Sequence, residues 1–117
     1  MAADQGDYDG AHVLLEESLT ILRELGDRRS IAEGLEALAS VDTGETDEER
    51  GARLWGAAET LRETIGSPQR PADREKQERM VAVVREKMGV DAFAFAWAEG
   101  RTMTMEQAVA YALGEKT

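Results

Sequence analysis

The sequence contains no cysteine, one histidine, two prolines and few aromatic side chains. Without cysteine there are no disulfides and no thiolate metal centres, and a reducing compartment is the compatible one. With a single imidazole, a zinc centre cannot be completed: Asp9 and His12 would supply two ligands where three or four are needed. His12 is therefore expected to be a half-buried or solvated side chain on a helix flank. No apolar run approaches the ~20 residues of a membrane span. Met1-Ala2-Ala3-Asp4 does not have the form of a signal peptide. The expectation is a cytoplasmic protein without membrane contact.

Positive charge is also scarce. The formal net charge is −10, and all of the excess falls in residues 1–66; acidic and basic residues balance in 67–117. Nucleic-acid binding rests on a basic face that neutralises phosphates, and this chain offers none. An acidic surface of this kind keeps a protein dispersed.

Motifs for catalysis or cofactors are missing as well. There is no Gly-x-x-x-x-Gly-Lys-Ser/Thr element to cradle a phosphate. Ser18, Ser30, Ser40 and Ser67 have no histidine aligned to serve as a base, so no catalytic constellation is complete. The acidic stretch Asp42 to Glu49 invites a calcium reading, but Asp42, Gly44 and Asp47 do not alternate around a sharp glycine turn as calcium loops require. A cap and solvated loop is expected there. The chain is read as a non-enzyme with no cofactor and no metal.

What the sequence does carry is helical periodicity over one domain of 117 residues. In the first segment Tyr8, Ala11, Leu15, Ser18, Leu22 and Leu25 recur at spacings of three and four. Asp7 is placed to cap it and Gly26 to end it. Asp27 opens a second helix with Ile31, Leu35, Leu38 and Ala39 inward, stopping near Val41. Thr46-Asp47-Glu48-Glu49 has the form of a capping box before a third helix bearing Ala52, Trp55, Ala58, Leu61 and Ile65. After Ser67-Pro68-Gln69-Arg70, Pro71 suits the first turn of a fourth helix, about 72–88, with Met80, Val84 and Met88 inward. A short apolar helix, Asp91 to Trp97, is expected to stop at Gly100. Thr104-Met105-Glu106-Gln107 is a capping box for a last helix with Met105, Ala108, Val109 and Ala112 inward. Phe93 and Phe95 lie about 200° apart on a helix, so one of them must meet a different neighbour from Trp97 or face solvent. No segment alternates as a strand, and the fold class is all-α with about six helices.

Gly10-Ala11-His12-Val13-Leu14 and Gly51-Ala52-Arg53-Leu54-Trp55 align 41 residues apart, the spacing of a helical-hairpin repeat. "GDYDGA" followed by "LLEESL" resembles the second helix of a tetratricopeptide repeat. Gly6 and Tyr8 match its opening, Ala11 its close-packing small residue, and Leu15 and Leu19 its large apolar positions. Ser18 stands where the family usually has alanine. "RRSIAEGLEALASV" is similar to a following first helix, with Leu35, Leu38 and Ala39 at its packing positions. The next connection has Glu45-Thr46-Asp47-Glu48 in place of Gly-Asp-Tyr. "ARLWGAAETLRETIGSPQRP" and "FAFAWAEGRTMTMEQAVAYAL" resemble the C-terminal end of large actinobacterial-type regulators, LuxR-type and others, that couple an ATPase to such repeats. The resemblance implies a superhelix of α-hairpins, with repeat-like helices over 7–66 and a helical cap over 67–117.

Its functional implication is a protein–protein interaction module, the C-terminal helical part of a bacterial regulator. The alternative is a fragment of a DNA-binding transcriptional regulator whose DNA-reading domain lies outside this chain. The first helix carries apolar side chains from Ile21 through Leu14, Leu22 and Leu15 to Leu19, an arc about 160° wide, more than one neighbouring helix covers. The face formed by Tyr8, Ala11, Leu15, Ser18, Leu19 and Leu22 is the expected interface, buried either in a homodimer or by the last helices folding back. The charge distribution generates a first test: the chain should show no appreciable binding to duplex DNA at physiological salt. A tight, steeply salt-dependent complex in an equilibrium titration would contradict this.

Overall fold

Among the described residues there are six helices: α1 (Gln5–Leu25), α2 (Arg28–Glu45), α3 (Glu48–Ile65), α4 (Pro71–Met88), α5 (Val90–Arg101) and α6 (Met105–Ala112). They are seen in a computed structural model that describes residues 5–45 and 47–115, the side chains of residues 5–8 and of Glu45 excepted. No strand occurs among the described residues.

Most boundaries lie where local chemistry puts them. Gly26 takes a positive φ of 71° and ends α1, its N–H and that of Asp27 both donating to Leu22 O. Asp27 accepts from the Ser30 amide at the start of α2. Pro71 occupies the first turn of α4. Thr104 and Gln107 close a reciprocal capping box before α6.

Several boundaries differ from the sequence expectation. α1 begins at Gln5, so Asp7, read as its cap, lies within its first turn. Asp42, Thr43 and Gly44, read as loop, continue α2 to Glu45. Thr43 keeps its hydroxyl inside by donating to Ala39 O, and Asp42 is buried in a side-chain network. Thr46, half of the expected capping box, lies outside the described residues; Asp47 caps α3 by accepting from the Arg50 amide at 3.2 Å. Gly100 does not end α5. It is buried one residue inside the end of the helix, for a reason that follows from packing.

The first three helices are antiparallel neighbours. Leu19 meets Gly34 while His12 meets Asp42, and Gly51 meets Thr43 while Arg62 meets Glu36, so residue numbers rise along one helix as they fall along the next. The α2–α3 contact is reinforced by a half-buried bidentate pair, with Arg62 Nε and Nη2 donating to the two Glu36 oxygens at 2.6 and 2.9 Å. One apolar cluster runs through the bundle. It includes Leu19, Ile31, Leu35, Leu38, Leu54, Trp55, Phe93 and Val109. Phe93 is buried, whereas Phe95 is 65% exposed, as their angular separation requires. The principal extents of 35 × 32 × 31 Å describe a near-isometric bundle.

The tightest contact is between α3 and α5. A methyl group at Gly56 would overlap the Trp97 carbonyl oxygen. One at Gly100 would overlap the Arg53 carbonyl oxygen and stand 3.0 Å from the Ala57 nitrogen. Each glycine lets the opposite backbone approach where any side chain would hold it off. Thr60 Oγ1 donates to Arg101 O at 3.1 Å beside this crossing. Gly100→Ala should therefore lower stability by about 2 kcal/mol, the cost of forcing atoms into a packed contact. Gly10→Ala should raise it by up to ~1 kcal/mol, because that position is helical, exposed and free of neighbours within 4 Å. Urea titration of the two variants checks both signs.

Candidate functional site

The interface expected on α1 is distributed over two environments. Leu19 is fully buried against α2, and Leu15 and Leu22 are partly buried against the same core. Ala11 is half-buried, Ser18 is exposed, and the side chain of Tyr8 lies outside the described residues. The apolar residues of α1 left in solvent are Val13, Leu14, Ile21 and Leu25, at 53, 67, 57 and 72% exposure. Leu14, Ser18, Ile21 and Leu25 follow one another at spacings of four, three and four, which puts them in a single seam along the helix. That seam lies roughly a quarter turn from the line of Leu15, Leu19 and Leu22. The wide apolar arc of α1 is thus split: one half is packed, and the other is open. α6 packs against α1, α2 and α3. Beyond its end, Glu115 receives a bidentate Arg23 at 2.9 and 3.0 Å.

A second arrangement was not legible in the sequence. Asp42, on α2, is 3% exposed. Arg50 Nη1, from α3, donates to Asp42 Oδ2 at 2.6 Å, and His12 Nε2, from α1, stands 3.1 Å from Asp42 Oδ1. Arg50 Nη2 also donates to the Ala112 carbonyl at the end of α6, and its guanidinium lies 5.7 Å from the centre of the Tyr111 ring. Glu16 completes the group, 3.3 Å from His12 Nδ1. Four helices meet at these side chains. Burial pushes the Asp42 carboxyl up from its ordinary value, and the charges of Arg50 and then His12 pull it back.

The chemistry open to this cluster is limited by its own completeness. His12 Nε2 faces both a donor, Arg50 Nη1 at 3.2 Å, and an acceptor, Asp42 Oδ1. A neutral ring that donates from Nδ1 to Glu16 accepts from Arg50. A protonated ring donates to Asp42 instead. In either state both nitrogens are engaged within the protein, and no free one faces a substrate proton. Among the described residues no group of three or more His, Asp or Glu side chains is placed to hold a metal ion. Asp42 and Asp47, considered for calcium, are engaged instead in the buried network and the α3 cap. The arrangement holds helices in place. A sequence signal was present in the lone His12 and the spacing from Asp42 to Arg50, but nothing local joined α1 to them.

No helix among the described residues is long and apolar enough to cross a membrane. No protein-family profile, curated protein or solved structure matches the chain.

The buried pair generates a stability test. Asp42→Ala strands the Arg50 charge in the interior and should cost about 3 kcal/mol. The double variant Asp42→Leu with Arg50→Leu removes both charges and should cost less than Asp42→Ala alone. Denaturant midpoints of the two variants decide it. Equal losses would place the cost in packing and not in the unpaired charge.

Proposed function

We propose that this chain is a non-catalytic protein-interaction module, the helical part of a bacterial regulator, that engages a partner helix along α1. The observation that carries the reading is the open seam of Leu14, Ser18, Ile21 and Leu25. Three large aliphatic side chains are each more than half exposed on one face. A contiguous apolar stripe of that kind marks an interaction surface more often than a neutral one. Its spacing is that of a helix-on-helix contact, and the small Ser18 allows close approach.

The occupant that fits best is α1 of a second copy, packed antiparallel about a two-fold axis. With Leu14 of one chain opposite Leu25 of the other, Ser18 falls opposite Ile21, and the two seams match along their length. The tetratricopeptide-like character of 7–66 supports the same surface, since repeats of that type bury helix faces against neighbouring helices. No nucleic acid is engaged by this chain in this reading, and no cofactor is required.

Sedimentation equilibrium tests it. The wild-type chain should dimerise, and Ile21→Glu, which places a charge in the seam without touching the core, should be monomeric and equally stable. Leu19→Glu should instead unfold the domain. A wild-type chain that stays monomeric at millimolar concentration rejects self-association.

A further inference from the structure

A cleft of ≈490 Å³ opens between α3, α4 and α5, away from α1 and independent of the seam. Its volume lies within the range of small-molecule sites, roughly 300–1,000 Å³. Both tryptophans of the chain, Trp55 and Trp97, form part of its wall. Their rings stand 6.2 Å apart at a tilt of 36°.

The two indoles differ in one respect. Trp97 Nε1 donates to Glu59 Oε1 at 2.8 Å. Trp55 is 1% exposed, and its Nε1–H, wholly removed from solvent, has no acceptor among the described residues. A buried donor left unpaired carries its full desolvation cost, and native interiors leave few such groups without a reason. The charge of the cleft has a sign. Glu36, Glu59, Glu63 and Glu78 line it, paired with Arg62, Arg74 and, from the rim, Arg101, which leaves an excess of one negative charge. The α4 wall is the most lightly held: Val84 is the only fully buried residue of that helix. A bond of 3.1 Å between the Gln69 and Gln77 amides joins the start of that wall to its middle.

We propose that this cleft binds a small flat aromatic cation carrying an oxygen acceptor. The ring packs against the partly exposed Trp97 indole, where stacking and the attraction of a positive charge to aromatic faces both contribute. The oxygen accepts from Trp55 Nε1–H. The charged end sits at the carboxylate rim. In the resting geometry the Trp55 donor is sealed from solvent, so the oxygen reaches it when side chains of the lightly held α4 wall move aside.

Tyramine is the probe, a phenol with an alkylammonium arm. Because both tryptophans line the cleft, their emission under indole-selective excitation reports binding without a label. A saturable change is expected with tyramine. Phenethylamine, the same cation without the oxygen, should bind about fivefold more weakly, the worth of one hydrogen bond to a buried donor. The anion 4-hydroxyphenylacetate should give no saturable change. In Trp55→Phe the advantage of tyramine over phenethylamine should vanish while circular dichroism stays unchanged. The comparison of the three ligands on the wild-type chain does not depend on how that variant folds. Absence of a saturable response at millimolar tyramine overturns the site. Equal affinity for tyramine and phenethylamine overturns the role of the Trp55 donor, and tighter binding of the anion overturns the sign of the charge.

Discussion

The contact on which the bundle depends is the one in which α3 and α5 touch backbone to backbone. Two glycines, Gly56 and Gly100, remove the atoms that would otherwise separate the helices, and each accommodates a carbonyl of the opposite helix. Dispersion attraction rises steeply at such short range, and summed over the crossing it offsets the helical propensity lost at glycine. The crossing also fixes where Trp55 and Trp97 stand, because both rings project from the turns that touch. α3 is consequently sandwiched, with α2 on one side and α5 on the other, and it has the longest run of buried residues in the chain.

Around this apolar centre the polar groups set register. Arg62 with Glu36 and Arg50 with Asp42 both join α2 to α3, near opposite ends of their contact. A slide of one helix past the other by a turn would break both pairs at once and leave charges buried. Apolar side chains alone tolerate such slides better, since leucine packs against leucine in several registers. The pairs at the surface act differently. Arg101 with Glu59 and Glu63, and Arg53 with Glu49 and Glu99, are partly solvated and contribute little each. They do cover the edges of the α3–α5 contact with the stems of long side chains.

What could be read from the sequence was whatever depends on near neighbours in the chain. The stop at Gly26, the start at Pro71 and the capping box at Thr104 are local backbone requirements, and each lies where the residues indicated. The same residue types misled where a distant partner decides their role. Asp42 reads as a loop residue until His12, thirty positions earlier, and Arg50 give it a buried place in a helix. Gly100 reads as a terminator until the carbonyl of Arg53 is seen to need its missing side chain. On α1 the excess width of the apolar arc was legible. Which half would be covered was not, because it depends on where α2 and α6 come to rest.

The link between Arg23 and Glu115 joins positions ninety-two residues apart, and the hydrogen bond from Arg50 to Ala112 joins others sixty-two apart. The hairpins α1–α2 and α2–α3, by contrast, close over turns of a few residues. Loop-closure entropy makes the hairpins easy to form and the docking of α6 costly. Assembly therefore has a natural order, with the first three helices condensing ahead of the last. It also ties α1 and α6 into one cooperative unit: releasing α6 uncovers Arg50, and with it the buried carboxylate that orients α1. Fraying at the last helix is felt at the first, although four others separate them along the chain.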